Sequence, residues 1–176
     1  MARVYDPSVP SQYDAIIEAA AKANNIPTDL FRKQIWTESS FKPDTVSSAQ
    51  AKGLAQFIPS TGKMYGLNTD DDFFDPVKSI NAGAKYMADL MRTYGDWNTA
   101  VVAYNGGTKA ARNYQRGDVS KLPMETQNYL KLLSSPVPNK SDAMSLNSFE
   151  NPARLEATSI FDNLADPVTM SNTTTS

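Results

Sequence analysis

Apolar residues recur at helical spacing through the first 133 positions and lose that regularity beyond them. Tyr13, Ile16, Ile17 and Ala20 fall at i, i+3, i+4 and i+7, which predicts an amphipathic helix over Gln12–Ala23. Ser11 with Asp14 has the form of a capping box, with Asp in place of the usual Glu or Gln, and Asn24-Asn25 ends the run. A second helix opens at Pro27–Asp29, where Pro and an acidic residue suit a first turn. It is apolar along Leu30, Phe31, Ile35 and Trp36, and it should end near Thr37–Ser39 because Pro43 lies just beyond. Phe41–Phe57 reads as loop, a short helix follows Pro59, and Asp70-Asp71-Asp72 reads as a solvated loop. The clearest period is Ile80, Gly83, Ala84, Met87, Leu90, Met91 and Tyr94, which predicts a helix over Val77–Tyr94 terminated by Gly95. A short apolar helix over Trp97–Tyr104 should break at Asn105-Gly106-Gly107, and a last helix fits Met124–Leu133. No segment alternates convincingly as a strand and no repeat is visible. The fold class is mainly α.

The change near Ser134 divides the chain of 176 residues into a domain over 1–133 and a tail over 134–176. About half of the tail is Ser, Thr, Asn and Pro. Its charges are Lys140 and Arg154 against Asp142, Glu150, Glu156, Asp162 and Asp166, a net of −3. The domain keeps 15 basic and 14 acidic residues, a net of +1. The tail is expected to be disordered, extended or ordered only on a partner, with a short helix as an option over Ala153–Leu164. The near-neutral domain argues against a general nucleic-acid binder. No apolar run is long enough to span a bilayer, and Met1–Ser11 has no apolar stretch of the kind a secretory signal needs.

The sequence contains no cysteine and no histidine. That excludes a thiol nucleophile, a disulfide, a Ser-His-Asp triad and His or Cys metal ligands. Carboxylates, hydroxyls, amides or lysines must carry any chemistry. Glu38 is the leading candidate. It lies at the end of an apolar helix between Trp36 and Phe41, where burial and the negative helix terminus both favour a protonated carboxyl. Such a group can donate a proton to a leaving oxygen. An exposed, inert Glu at a fraying helix end is the bland alternative. Gly53-Leu54-Ala55-Gln56 adds a glycine that permits close backbone approach to a ligand and an amide that both donates and accepts. Ala103-Tyr104-Asn105-Gly106-Gly107 puts a phenol and an amide at a helix end. Polar groups beside an aromatic ring suit a sugar, although a glycine turn and an Asn helix cap explain each segment equally well alone.

Taken together, Glu38-Ser39, Gly53-Leu54-Ala55-Gln56, Ala103-Tyr104-Asn105 and Glu125-Thr126-Gln127-Asn128-Tyr129 resemble, in order and spacing, the catalytic domain of soluble lytic transglycosylases. Phe41, Pro43, Ser47, Ala49, Ala51, Pro59 and Thr61 resemble the surroundings of that family's Gly-Leu-Met-Gln motif. Asp75-Pro76, Asn81-Ala82-Gly83-Ala84, Tyr86 and Tyr94-Gly95-Asp96-Trp97 resemble its later helices. The resemblance covers about 26–133. The start, Tyr5 to Ala23, is similar to the lytic N-terminal domain of internal ejection proteins of short-tailed phages. Three positions depart from the pattern. Ala55 stands for the usual Met and would remove a side chain from the cleft wall, Gln50 stands where Gly is common, and Leu130 replaces a common Val.

The resemblance implies a lysozyme-like helical domain of the goose-type and transglycosylase kind. It implies cleavage of the β-1,4 bond between N-acetylmuramic acid and N-acetylglucosamine, with no cofactor and no metal. Glu38 would be the catalytic acid. No second acidic residue lies in a comparable motif, and Asp44 and Asp70–Asp72 do not offer one. Ser39 and Tyr104 would position the N-acetyl group and the reacting ring. Gln56 and Asn105 would line the cleft or hold the surroundings of Glu38. Tyr129 would tune Glu38, and Glu125 would contact the peptide stem or brace a loop, unless it only complements a helix dipole. The expected partners are peptidoglycan strands and, through the tail, other virion proteins. The expected place is a phage virion, with a bacterial periplasm or envelope reached by another export route as the alternative. A hydrolytic muramidase and a non-catalytic wall-binding module are the competing functions.

Overall fold

Seven α-helices account for most of the described chain, and the way each begins follows from its sequence. The structure, a computed structural model, describes residues 5–134. The tail over 135–176, with the helix considered at Ala153–Leu164, lies outside the described residues. Helix α1 spans Asp14–Ala23 and α2 spans Thr28–Ser39. The Ser11 amide donates to Asp14 Oδ2 at 2.9 Å, which is one half of the expected box. Asn25 takes φ 55°, which turns the chain between the two helices. Helix α3 spans Pro59–Met64 and α4 spans Asp70–Phe74.

The α4 segment corrects the expectation of a solvated loop at Asp70–Asp72. Thr69 caps it, with the Asp72 amide donating to Thr69 Oγ1 at 3.3 Å and the Thr69 amide donating to Asp72 Oδ2 at 2.9 Å. The three aspartates therefore occupy a helical first turn, where the positive end of the dipole favours them.

Helix α5 spans Pro76–Tyr94 and α6 spans Trp97–Gln115. Asp75 caps α5 by accepting from the Lys78 amide at 2.9 Å, and Asp96 caps α6 by accepting from the Thr99 amide at 2.8 Å. Gly95 closes α5 in the left-handed region at φ 83°. Asn105-Gly106-Gly107 breaks the helix as expected: two helical segments meet there across a kink. Only Gly107 leaves helical geometry, at φ 71° and ψ −174°, and the chain resumes its helix beyond this kink. A 3-10 turn over Val119–Lys121 leads to α7, Met124–Ser134.

The core gathers Ile17 and Ala21 from α1, Phe31 and Ile35 from α2, Ile80, Ala84 and Met87 from α5, and Ala100 and Val101 from α6. Leu54, Ala55 and Phe57 from the α2–α3 loop join them, as do Tyr129 and Leu133 from α7. Helix α5 packs on α1, α4 and α6, while α7 packs on α6 and α2. Small residues on α5 allow close packing: a Cβ at Gly83 would lie 3.0 Å from Ala55 Cβ and 3.6 Å from the Tyr104 hydroxyl. No strand forms among the described residues. The α2–α3 loop carries only two isolated bridges, Val46 with Lys52 and Lys52 with Phe57.

Candidate active site

Glu38 sits one residue before the end of α2 and is half-buried. The chain then reverses through Ser40 and Phe41, both in the left-handed region at φ 52° and 59°. The Tyr129 hydroxyl, from α7, donates to Glu38 Oε1 at 2.5 Å. Burial pushes the Glu38 carboxyl up to about 8; the Tyr129 hydrogen bond opposes that rise, and the charge of Glu125 adds to it. At neutral pH the carboxyl therefore holds its proton. Tyr129 and Tyr104 are themselves buried, and burial followed by the charge of Glu38 raises both phenols well above their ordinary value. Both remain proton-bearing donors.

The expected flanking aromatics do not provide this burial. Trp36 packs on Tyr5 with ring centroids 5.3 Å apart, and Phe41 packs on Tyr13 at 6.4 Å. Residues two apart on a helix face different directions, so Trp36 cannot share the face of Glu38. Helix α7 packs on α2 instead and supplies Tyr129 at the carboxyl.

The other candidate residues are distributed as follows. The Tyr104 hydroxyl donates to the Ala55 carbonyl at 2.8 Å, which fastens α6 to the α2–α3 loop. The Ala55 amide donates to Ser79 Oγ at 3.2 Å, so α5 holds the same residue through its other backbone group. Ala55 is fully buried, and its methyl faces Gly83 in the interior rather than a cleft wall. Asn105 Oδ1 accepts from Thr126 Oγ1 at 2.7 Å, joining α6 to α7. A Cβ at Gly106 would lie 2.8 Å from that same Thr126 oxygen, so the glycine is what lets the two helices approach. Ser39 is buried and its hydroxyl donates to the Ile35 carbonyl at 3.0 Å. Gln56 Nε2 donates to the carbonyls of Thr45 at 3.1 Å and Gly53 at 2.9 Å, bracing the loop. Glu125 is exposed in the first turn of α7.

Tyr129 thus contacts Glu38 directly and Glu125 acts on it through its charge, while Tyr104, Asn105, Ser39 and Gln56 use their hydrogen bonds to hold backbone or a neighbouring helix. The expectation that Gly53 admits a ligand needs correction. A Cβ there would lie 1.9 Å from the Phe73 carbonyl oxygen, so the close approach is to the end of α4. Gly53 also takes φ +76°, which a side chain disfavours.

Sequence reasoning missed Thr126, Ser79 and Gln34. Thr126 and Ser79 are short polar residues whose partners are distant in sequence. Gln34 had a visible signal: with Phe31, Ile35 and Glu38 it falls at i, i+3, i+4 and i+7 on one face of α2, an amide in a core register. Among the described residues, no group of three or more acidic side chains is placed to hold a metal ion. No described helix is long and apolar enough to cross a membrane.

The transglycosylase SLT domain model matches residues 15–126. The chain belongs to the SLT transglycosylase family. The match begins within α1, ahead of the expected limit near Ile26, in keeping with the α1 residues buried in the common core. The chain is 40% identical over 139 residues to the peptidoglycan transglycosylase gp16 of Escherichia phage T7, covering 73% of this chain and 10% of that protein. It is 38% identical over 100 residues to the transglycosylase of Enterobacteria phage PRD1, covering 57% of this chain and 37% of that protein. The chain thus spans about a tenth to a third of the length of these relatives. The fold matches the crystal structure of the soluble lytic transglycosylase Slt70 from Escherichia coli, with a TM-score of 0.63 at 22% identity. That match covers 70% of this chain and 23% of the other.

Proposed function

We propose that the SLT domain is a peptidoglycan lytic transglycosylase with Glu38 as its single catalytic acid. The observation that carries this reading is a half-buried carboxyl, raised to about 8, held by a phenol from another helix. The family assignment and the names of the two phage relatives supply the substrate class. Glu38 gives its proton to the glycosidic oxygen as the C1–O bond breaks. The substrate's own acetamido carbonyl supports the positive charge at C1. The Glu38 carboxylate, steadied by the Tyr129 O–H, then takes the proton of the muramoyl C6 hydroxyl, whose oxygen closes onto C1. The product is a 1,6-anhydro sugar, and no water is consumed. One acid serves both steps because its proton returns at the end of the cycle.

Hydrolysis is the second reading, and Glu125 is the observation that favours it. It is a second carboxylate whose charge reaches Glu38, and hydrolytic glycosidases use two. Its exposure in the first turn of α7 suits a helix-dipole role instead. The phage origin of both relatives supports a virion component that opens the wall locally during genome entry, with the acidic tail as its link to other virion proteins.

Digestion of purified peptidoglycan followed by mass spectrometry tests the reaction. Anhydro ends, lighter than reducing ends by one water, are expected. Reducing ends would assign hydrolysis, and no products would leave a wall-binding module. The same digestion by purified particles tests the place: particles that lack the chain rule out the virion.

A further inference from the structure

We infer that Gln34 is a positioning residue that acts on Glu38 through the Tyr129 hydroxyl. The inference rests on Glu38 as the acid. Gln34 has no exposed surface, and neither its amide nitrogen nor its amide oxygen meets a hydrogen-bond partner. Leaving both ends of a buried amide unsatisfied costs a few kcal/mol, so an apolar side chain would serve the core better. Gln34 lies one turn before Glu38 on the same face of α2, and its side chain neighbours the Tyr129 hydroxyl, where it opposes the rise of that phenol. An amide that favours the phenolate presents its N–H side to the phenol oxygen.

The three groups form a sequence: the Gln34 amide beside the phenol oxygen, the phenol hydrogen on Glu38 Oε1, and the carboxyl at the reacting bond. In the resting structure the amide has no hydrogen-bond partner. Once the proton leaves, the Tyr129 O–H is drawn toward the new carboxylate. Its oxygen then becomes a better acceptor, and the waiting amide completes the chain. Gln34 would thereby favour the charged form of Glu38, the form that must exist between the two halves of the reaction. The other groups facing this pair are Tyr104 from α6, which acts on Tyr129, and Glu125 from α7, which acts on Glu38. Neither takes the place of the amide, because both raise the group they face.

The test is Gln34→Met, which keeps the volume and removes both polar atoms. Its thermal stability should equal or exceed that of the parent, as expected when an unsatisfied amide leaves a core. The Glu38 carboxyl, titrated by carbon-13 NMR of labelled glutamate, should rise by about half a unit to one unit. The upper limb of the pH profile should move with it, and kcat should fall several-fold at unchanged KM. In a Tyr129→Phe background the substitution should produce no further shift. An unchanged Glu38 titration in Gln34→Met would overturn the inference, as would an equal shift in the Tyr129→Phe background. Failure of the acid assignment has a separate signature, namely wild-type turnover by Glu38→Gln.

Discussion

Helix α2 carries polar groups on two sides, and the two sides solve the problem of burial in opposite ways. On the side toward α1, Arg32 is fully engaged. Its Nε donates to Asp14 Oδ1 at 2.8 Å, Nη1 to the Tyr5 hydroxyl at 2.9 Å and Nη2 to the Val9 carbonyl at 2.8 Å. The guanidinium also lies 5.5 Å from the Tyr5 ring centre and 5.3 Å from that of Phe41. Every charge there has an opposite charge or a hydrogen bond. Although burial works against it, the net effect holds the Asp14 carboxyl below its ordinary value and Arg32 above its own.

On the side toward α7, Glu38 has one neutral donor, an acidic neighbour and, among the described residues, no cation in hydrogen-bond contact. Its carboxyl moves the other way. A satisfied network fixes the first segment of the chain to the helix, whereas an under-satisfied carboxyl a turn and a half away keeps a proton to give.

The largest effect expected from this contrast is the loss of turnover in Glu38→Gln. Removing a general acid costs about 10³-fold or more, and the helical circular dichroism should not change. The same residue predicts the pH dependence. Activity requires the protonated resting form, so it should fall as pH rises through about 8. Stability should follow the same sign. The native pKa of about 8 lies above the ordinary 4.5, so the folded state binds the proton more tightly between those values. The stabilisation is complete below 4.5 and is lost as pH rises through 8. Glu38→Gln cannot ionise and escapes that loss. The variant should melt with wild type near pH 4 and above it near pH 8.5, by an amount on the order of a few kcal/mol. Equal melting at the higher pH would place the carboxyl in water and end the contrast.

Next in size is Arg32→Ala. It removes four hydrogen bonds from the guanidinium and two ring contacts but touches nothing at Glu38. A loss of about 2 kcal/mol is expected in urea titrations. Turnover per folded molecule should be unchanged. A fall in kcat larger than the loss of folded protein would join the two sides of α2 that the structure keeps separate.

The difference between the two sides also explains what could be read from the chain. Local rules were sufficient where neighbours in sequence decide the structure. The α5 face, the Gly95 stop and the bounds of α2 all depend on residues within a few turns. The same rules pointed to Glu38, because its place at the end of an apolar helix is visible. They could not supply its partner, since Tyr129 lies 91 residues away and reaches it only when α7 packs on α2. The flanking aromatics misled because adjacency in sequence is not adjacency on a helix. At α4 the run of three aspartates masked a Thr69 cap, whereas the break at Asn105-Gly106-Gly107 was legible because glycine tolerates the left-handed backbone that Gly107 takes.

The smallest expected effect concerns two glutamines of the α2–α3 loop, and it repeats the contrast between satisfied and unsatisfied groups at low cost. Gln50 and Gln56 both take left-handed backbone, at φ 63° and 47°. A side chain there is disfavoured by roughly 1 kcal/mol, which accounts for glycine being common at the position of Gln50. Gln56 offsets its strain with two hydrogen bonds to the loop backbone. Gln50 is exposed, and it is the Gln50 amide, not the side chain, that holds the turn by donating to the Ser47 carbonyl at 3.0 Å. Gln50→Gly keeps that amide and should stabilise the protein by about 0.5 kcal/mol, the relief of strain less the added freedom of the unfolded chain. Gln56→Gly relieves the same strain but strips the carbonyls of Thr45 and Gly53 of a donor, so it should destabilise by about 1 kcal/mol. Opposite signs in chemical denaturation are the expected result. Equal gains would mean that the Gln56 amide does not brace the loop, and the loop's hold on Ala55 would then rest on Tyr104 and Ser79 alone.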